Sequence, residues 1–198
     1  MAEILVVAAH APELAGLPPE VRRAAVGIGM VDAAAGMAAI VAIGAPAGVI
    51  VVGTCGAFST TLQINDLVCV ERAVWPSGSK HVEVPEQVPT RADADPQLLE
   101  QLAAQTGARR VTAACGMGVT VDDETAGLVA ASARAHVEHM ECFAVYRACQ
   151  RARIPCASIL AVANRVGSGA RAEWRANAAV AEGKAIEALV RALPTLTS

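Results

Sequence analysis

Residues 137–146 of the chain, VEHMECFAVY, place a histidine, a methionine and a glutamate side by side at the start of an amphipathic pattern. Apolar residues recur at helical spacing through this stretch, which predicts a helix over residues 141–153. The helix is expected to stop at Ile154-Pro155, because a residue that precedes a proline is restricted to extended conformations. Glu141 is therefore predicted to stand at the entrance of a helix.

The next stretch, 156–163, is a continuous apolar run, CASILAVA. Such a run is typical of a strand that is buried on both faces. A polar run, 164–169 (NRVGSG), begins where this strand ends. Since ligands of open α/β sheets bind beyond the carboxyl ends of the strands, Glu141 and Asn164 are expected to meet at one site.

Buried strands alternate with helices along the rest of the chain. The predicted strands are 3–9, 23–29, 47–52, 66–74, 110–116 and 156–163, and the predicted helices are 31–43, 96–105, 141–153 and 170–193. Acidic residues over 122–125 fit the first turn of a further helix. The alternation indicates a three-layer α/β/α fold around a central parallel or mixed sheet. The Pro- and Gly-rich stretch 75–96 is expected to be a surface excursion, so residues 1–198 are predicted to form a single domain.

The composition argues against several kinds of partner. The formal net charge is −3 and the chain has no basic cluster, so nucleic acid is not an expected partner. No uninterrupted apolar run reaches the roughly 18 to 20 residues of a membrane span, and the N-terminus lacks a signal-peptide pattern, which predicts a cytoplasmic protein. Charged residues make up only 18% of the chain, so part of the surface is expected to be covered by a second copy in a homo-oligomer.

The six cysteines are predicted to be buried, reduced thiols. They form no C-x-x-C pair, and most lie within predicted strands or helices. Cys142 and Cys149 share a helix face, but nothing in the sequence supplies the remaining ligands of a metal site. Neither a metal nor another cofactor is therefore expected.

Two loops that follow predicted strands carry polar groups suited to a small ligand. The first, after strand 3–9, contains His10 and Glu13. The second, 53–56 (GTCG), is predicted to be a turn whose backbone N–H groups and hydroxyl face an anion or a sugar, although a plain tight turn explains it equally well. A third motif, 27–29 (GIG), lacks the last glycine of a dinucleotide-binding fingerprint.

Taken in order along the chain, these motifs resemble the purine nucleoside phosphorylase and nucleosidase superfamily, whose members cleave the N-glycosidic bonds of nucleosides. The resemblance covers most of the chain and is carried by the segments 4–14, 27–31, 53–56, 66–68, 120–122, 140–141 and 162–164. It implies the α/β/α fold of that superfamily and a small-molecule nucleoside as the substrate.

By that resemblance, Glu141 is expected to bind both ribose hydroxyls, with Met140 packed beneath the sugar. A carboxylate suits this task because it accepts two hydrogen bonds from a cis-diol and stabilises the positive charge that spreads over the ribosyl ring as the bond breaks. A helix-start glutamate that satisfies backbone N–H groups is the alternative interpretation. The resemblance adds further substrate-binding residues, which are Thr54, Gly56, Phe58, Val121 and His139, the last at a position often occupied by a second glutamate.

Asn164 takes the position at which adenosine-preferring members carry an aspartate that helps to protonate N7 of the base. An amide cannot deliver that proton, but it can donate a hydrogen bond to a carbonyl O6, which points to a 6-oxopurine such as hypoxanthine. The pattern N-x-V-G-x-x-x-R-x-x-W-R over residues 164–175 resembles futalosine hydrolase, which releases hypoxanthine from futalosine in an alternative menaquinone pathway. Asn164 is therefore expected to be a catalytic residue that contacts the base.

The resemblance favours hydrolysis over phosphorolysis. Phosphorylases of the superfamily typically carry an arginine two residues before the Gly-Thr motif, and that position is Val51 here. A phosphate without an arginine partner would lack charge compensation. Glu13 matches the acid that hydrolytic members use as a general base toward water, and Thr54 is expected to orient that water.

Two other functions stay open at this point. Leu160, Ala163 and Glu124 replace residues that hydrolytic relatives usually carry, which allows a catalytically weak member that binds a nucleoside. A phosphorylase is also possible if a neighbouring subunit supplies an arginine, such as Arg22 or Arg23.

Overall fold

A computed structural model describes residues 3–58, 60–76 and 84–196. Over these residues the chain forms eight β-strands and five α-helices. The strands are β1 (Ile4–Ala8), β2 (Arg23–Ala25), β3 (Gly48–Ala57), β4 (Leu67–Val74), β5 (Arg91–Asp93), β6 (Arg109–Cys115), β7 (Val137–His139) and β8 (Cys156–Arg165). The helices are α1 (Gly29–Ile43), α2 (Pro96–Thr106), α3 (Asp123–Ala133), α4 (Cys142–Ala152) and α5 (Ala170–Leu196), and a short 3₁₀ helix covers Ala11–Leu14.

The strands form one mixed sheet in the order β2-β1-β3-β7-β6-β4-β5, with β8 paired to both β3 and β4. β1, β3 and β8 run parallel to one another, whereas β7 is antiparallel to β3 and β4 is antiparallel to β8. Pairing therefore closes a circuit through β3, β8, β4, β6 and β7. The predicted α/β fold with a central mixed sheet is confirmed.

Two pairs of helices enclose the sheet. α1 packs on α4, and α2 packs on α5, which lies along β8 and β3. Alanines line the buried side of α5, including Ala181 and Ala185, which have no exposed surface. Because alanine adds little volume, α5 can lie close to the valine- and leucine-rich strands beneath it.

A buried polar network joins α4 to the sheet. The hydroxyl of Tyr146 donates to the carbonyl of Val70 (2.8 Å) and lies 2.8 Å from Ser158 Oγ, which accepts from the Val70 N–H. Burial raises the pKa of Tyr146, so this hydroxyl stays protonated and keeps its role as a donor. The network fixes the height of α4 above β4 and β8.

The strand β3 differs from its prediction. The segment 53–56 was expected to form a turn, and this prediction is wrong, because β3 continues through it to Ala57. The reason is pairing on both sides: β8 accompanies β3 to its end, and β7 pairs with its last two residues. A register shift between Cys55 and Gly56 marks the place where the strand bends.

Other predicted element boundaries also differ from those of the structure. The strand predicted over 23–29 ends at Ala25, and α1 begins at Gly29. β7 occupies residues that had been included in a helix entrance, and β5 lies inside the predicted excursion 75–96, of which residues 77–83 are outside the described part of the chain. The acidic run does begin a helix, since the Asp122 carboxylate accepts from the Thr125 N–H (2.7 Å) at the start of α3.

All six cysteines are buried, as predicted, and their thiols are free. Burial raises the pKa of both Cys69 and Cys115 to about 12, so these thiols stay protonated and unreactive. Across the described residues, no helix combines the length and apolarity that crossing a membrane requires.

Candidate active site

A cavity of about 400 Å³ opens at the carboxyl ends of β1, β3 and β8, and is called the main cavity below. Its lining residues come from segments spread along the chain, between residues 9 and 175. The lining residues are Ala9, His10, Glu13, Ile28, Thr54, Cys55, Gly56, Val119, Glu138, His139, Met140, Glu141, Asn164, Ala170, Arg171, Trp174 and Arg175. The structure thus brings Glu13, Thr54, Gly56, His139, Met140, Glu141 and Asn164 to one place.

Glu141 lies at the junction of β7 and α4 and is only 6% exposed. Its Oε1 accepts a hydrogen bond from the Gly29 N–H at the start of α1 (2.7 Å). Its Oε2 lies 3.4 Å from His139 Nδ1. Gly29 has a left-handed conformation (φ 83°), which turns its N–H toward the carboxylate, and a Cβ there would lie 3.7 Å from Met140 Cε.

His139 is buried beside Glu141 and holds the start of α4. Its Nδ1 accepts from the backbone N–H groups of Glu141 and Cys142, both at 3.1 Å. These bonds require Nδ1 to be unprotonated, which places the proton of the neutral ring on Nε2. No side chain at the N-cap position supplies this bond, so His139 takes over the capping that a serine or aspartate usually provides.

Glu13 lies in the 3₁₀ helix after β1 and is 9% exposed. Its Oε2 accepts a hydrogen bond from the His10 backbone N–H (3.2 Å). The same oxygen lies 2.9 Å from His10 Nδ1, but the geometry of this contact is not that of a hydrogen bond. A Cβ at Gly53 would come within 3.1 Å of Glu13 Oε1. The absence of a side chain at Gly53 therefore lets the carboxylate lie directly against β3.

Asn164 lies near the end of β8 and is 5% exposed. It stands opposite Gly56 of β3, immediately after the register shift. A Cβ at Gly56 would lie 2.9 Å from Asn164 Nδ2 and 2.8 Å from Val166 Cγ2, so only glycine leaves room for this amide. The Nδ2 group donates to the Arg165 carbonyl (2.8 Å).

The first two turns of α5 form another wall, which was not predicted from the sequence. The Trp174 indole N–H donates to Thr54 Oγ1 (3.1 Å), and Arg171 and Arg175 also line the cavity. Glu138 was also missed; its Oε2 accepts from the Thr120 N–H (3.0 Å) and holds the loop before α3. The 164–175 pattern contained three of these residues, but only the fold shows that α5 turns back over β3.

Two predicted site residues lie outside the lining of the main cavity. Phe58 is half-buried at the end of β3, where its N–H donates to the His136 carbonyl (2.9 Å). Val121 is 51% exposed on the loop before α3. Trp75 and Phe143 pack on each other with ring centroids 6.4 Å apart. Trp174 is the aromatic side chain that does line the cavity.

The positions that bear on phosphate binding lie inside the fold. Val51 is 2% exposed within β3. Arg23, considered as a phosphate ligand in a neighbouring subunit, donates within its own chain to the carbonyls of Leu14 (3.2 Å), Leu17 (2.8 Å) and Pro18. This guanidinium therefore ties the loop after the 3₁₀ helix to β2.

The described residues, 3–58, 60–76 and 84–196, contain no group of three His, Cys, Asp or Glu side chains arranged to hold a metal ion. The polar side-chain groups of the main cavity include carboxylates, an amide, a hydroxyl, two imidazoles, an indole N–H and two guanidiniums. Such a set can bind hydroxyls, a heterocyclic base and an anion by hydrogen bonds.

The mixed sheet and the cavity at its carboxyl edge define a known class of protein. Residues 19–194 match the family model of the phosphorylase superfamily, and the chain belongs to that superfamily. No curated protein matches the sequence.

Solved structures show the same fold at low sequence identity. A Helicobacter pylori MTAN mutant with 5′-methylthioadenosine in its active site is similar with a TM-score of 0.89 and 15% identity, over 98% of this chain and 99% of that one. A futalosine hydrolase mutant of Helicobacter pylori gives 0.88 and 16%, over 98% and 100%. The 5′-methylthioadenosine/S-adenosylhomocysteine nucleosidase of Neisseria meningitidis, in complex with methylthio-immucillin-A, gives 0.86 and 19%, over 98% and 100%.

Proposed function

We propose that the protein is an N-ribosyl hydrolase that cleaves a purine nucleoside, with a 6-oxopurine such as hypoxanthine as the leaving base. The observation that carries this proposal is the convergence of Glu13, Glu141 and Asn164 on one cavity. All three are buried polar side chains, and they come from three separate elements of the chain. Several solved structures with this fold are nucleosidases, and one is a futalosine hydrolase.

In this proposal Glu141 binds the 2′ and 3′ hydroxyls of the ribose. One of its oxygens already accepts from the Gly29 N–H, which fixes the carboxylate, and each oxygen has a further lone pair for a hydroxyl. The negative charge lies beneath the ring that becomes positive as the glycosidic bond breaks. Since Glu141 is buried, this attraction is weakly screened and favours the transition state. Met140 packs beneath the sugar.

Asn164 is proposed to bind the base. One N–H of its amide donates to the Arg165 carbonyl, and the second is available to O6 of a 6-oxopurine. A purine that leaves with its O6 hydrogen-bonded carries its negative charge at lower cost. An amide provides this stabilisation without the proton that an adenine would need.

Glu13 is proposed to act as the general base toward water. It is held by His10 and lies against β3 beside Thr54, whose hydroxyl accepts from Trp174 and can donate its own proton to the water. Removal of a proton from the attacking water typically contributes a factor of roughly 10² to 10⁴ in rate.

The test is release of free base in phosphate-free buffer from inosine, futalosine and 5′-methylthioadenosine. Inosine and futalosine are expected to yield hypoxanthine, whereas 5′-methylthioadenosine is cleaved poorly. A Glu13→Gln variant is expected to lose roughly 100-fold or more in kcat, and Glu20→Gln, an exposed control on the following loop, is expected to leave kcat unchanged. Full activity of Glu13→Gln would contradict the proposed base.

One observation favours a second candidate, phosphate-dependent cleavage. Arg171 and Arg175 bring two positive charges to the main cavity, and arginine binds phosphate well. Turnover that requires added phosphate and forms ribose 1-phosphate would replace hydrolysis by phosphorolysis. Ligand-dependent thermal stabilisation without release of base would instead indicate a nucleoside-binding member, as the buried Leu160 and Ala163 allow.

We further propose that residues 1–198 act as one domain within a homo-oligomer. Exposed apolar side chains occur in and next to segments that line the main cavity, with Ile28, which lines it, 60% exposed and Val31 64% exposed at the start of α1. Val119 (45%) and Val121 (51%) are exposed on the loop before α3. A second copy that covered them would remove this apolar surface from water.

A further inference from the structure

Glu13 lines two cavities. Besides the main cavity, it lines a second cavity of about 540 Å³, which is formed by the 3₁₀ helix, the loop after it and α5. Glu13 is the residue that the two linings have in common. The proposed base is therefore in contact with a space that lies outside the candidate nucleoside site.

Glu182 brings a half-buried carboxylate to the second cavity. It takes part in no hydrogen bond or ion pair within residues 3–58, 60–76 and 84–196. The other charged residues of this lining besides Glu13, which are Glu187 and Arg191, form an exposed ion pair with each other. A Cβ at the neighbouring Gly183 would meet nothing within 4 Å. Neither pairing nor close packing therefore accounts for a charged residue at position 182.

The position is unfavourable for the negative charge of Glu182. Burial, followed by the charge of Glu13, raises the pKa of Glu182, and His10 opposes part of this shift. Repulsion between two carboxylates is mutual, because each negative charge favours the protonated form of the other. An acidic group that is perturbed by burial and by a specific neighbour next to a cavity is a candidate for a functional role.

From these observations we propose that Glu182 strengthens Glu13 as the general base, and that it does so from the second cavity without touching the substrate. This inference rests on the proposed function. In the hydrolytic step a proton of the water moves to Glu13, the water oxygen bonds to C1′, and the electron pair of the C1′–N9 bond leaves with the base. A negative charge near Glu13 favours the state in which Glu13 has taken up the proton. A stronger base transfers the proton faster, provided that it stays ionised at the working pH.

The other charged or titratable groups around Glu13 are unchanged when Glu182 is replaced. His10 contacts the carboxylate from the loop after β1, and β3 approaches it through Gly53, which adds no charge. In the second cavity, Glu187 and Arg191 remain paired. The groups that line the main cavity are Cys55, Glu138, His139, Glu141, Arg171 and Arg175. A comparison of the wild type with Glu182→Gln therefore isolates the charge at position 182.

The experiment measures kcat for hypoxanthine release from inosine as a function of pH, in phosphate-free buffer, for the wild type, Glu182→Gln and Glu182→Asp. Glu187→Gln is the control, because it removes a charge of the same sign from an exposed position of the same helix and cavity. Thermal unfolding verifies that each variant is folded. In parallel, the glutamate carboxyl carbons are titrated by ¹³C NMR, in which the Glu13 signal is the one missing from Glu13→Gln. The NMR titration does not require turnover.

Glu182→Gln is expected to lower the plateau kcat by about twofold and to move the acid limb of the profile to lower pH by about half a pH unit, because Glu13 then releases its proton more readily. The two profiles therefore cross, which a loss of structure would not produce. The NMR titration of Glu13 is expected to move in the same direction. Glu182→Asp is expected to keep most of the wild-type profile, and Glu187→Gln to keep all of it, since solvent screens an exposed charge.

An NMR titration of Glu13 that is the same in Glu182→Gln and in the wild type would overturn the proposal. A kcat that falls by the same factor at every pH would also overturn it, because that result indicates a structural role. An equal shift in Glu187→Gln would assign the effect to the net charge of α5 and overturn the role of Glu182. A shifted titration in a protein that releases no base from inosine, futalosine or 5′-methylthioadenosine would support the coupling of the two carboxylates and overturn the proposed hydrolase.

Discussion

His139 accepts two backbone hydrogen bonds at one ring nitrogen. The Nδ1 atom accepts from two backbone N–H groups at the start of α4 and lies 3.4 Å from the Glu141 carboxylate. A second glutamate, which related proteins often carry here, would place another negative charge beside Glu141. The neutral imidazole supplies the acceptor without that repulsion. At the scale of single residues, the site therefore depends on side chains that hold others in place.

Replacement of His139 by alanine is expected to lower the free energy of unfolding by about 1–2 kcal/mol, because two buried N–H groups lose their acceptor. The nucleoside KM is expected to rise as well, since the backbone N–H of Glu141 loses its acceptor. Urea unfolding and steady-state kinetics measure these effects. His136→Ala is the matched control, because His136 Nδ1 also accepts one backbone N–H but lies at an exposed position. Equal losses in both variants would contradict the capping role.

Glu182 lies on α5, where it lines the second cavity together with Glu13. Burial, followed by the charge of Glu13, raises the pKa of Glu182 above its ordinary value. The folded state therefore binds this proton more tightly than the unfolded state, and the free energy of unfolding falls as pH rises from the ordinary pKa through the raised one. Ionised Glu182 is a destabilising feature at neutral pH.

Glu182→Gln is expected to be more stable than the wild type at pH 7, by less than about 1 kcal/mol because the side chain is partly solvated. The difference should disappear below about pH 4, where both states hold the proton. Chemical denaturation at the two pH values measures it. A gain that is the same at both would show that charge is not the cause.

At the scale of elements, close approach of backbones sets the position of α1. A Cβ at Gly36 would lie 2.1 Å from the Val26 carbonyl oxygen, and this backbone cannot move away without shifting the loop that leads into α1. Gly127 of α3 is also within a helix, but a Cβ there would meet nothing within 4 Å. The two glycines offer a matched pair of substitutions.

Gly36→Ala is expected to lower the free energy of unfolding by about 2–3 kcal/mol through overpacking. Gly127→Ala is expected to raise it by about 0.5–1 kcal/mol, because alanine is the better helix former and nothing opposes it. Urea unfolding of both variants compares the two effects. Destabilisation by Gly127→Ala would mean that helix propensity does not determine the change in the free energy of unfolding at that position.

The elements also show what the sequence could predict. Long apolar runs and proline boundaries identified β1, β8, α2 and α4, and the rule on strand ends placed Asn164 and Glu141 at one cavity. β7 was missed because its three residues are too short for a periodic signal. The continuation of β3 was missed because GTCG has turn-like composition, and its extended form depends on two partner strands distant in sequence. Arg171 and Trp174 were not predicted as lining residues, because their position at the cavity depends on the direction in which α5 packs on the sheet.

At the scale of the whole molecule, the exposed apolar residues Ile28, Val31, Val119 and Val121 predict association. We expect light scattering at micromolar concentration to show a dimer or a larger homo-oligomer. Val31→Asp is expected to shift it toward monomer, because burial of an unpaired charge opposes association. Ile43→Asp is the control, since Ile43 is 89% exposed but lies at the other end of α1. A monomeric wild type would contradict the prediction.

The closed circuit of β3, β8, β4, β6 and β7 has a consequence for how the protein acquires its activity during synthesis. Glu13 comes from the first strand's loop, whereas Asn164 and α5 come from the last 35 residues of the chain. Strands far apart in sequence must pair before the circuit closes, and such long-range pairing makes folding slow. A chain emerging from the ribosome therefore has no ligand site until its C-terminal helix has docked. Nucleoside binding should then appear in a single late step of refolding, and it can serve as a probe of the completed fold.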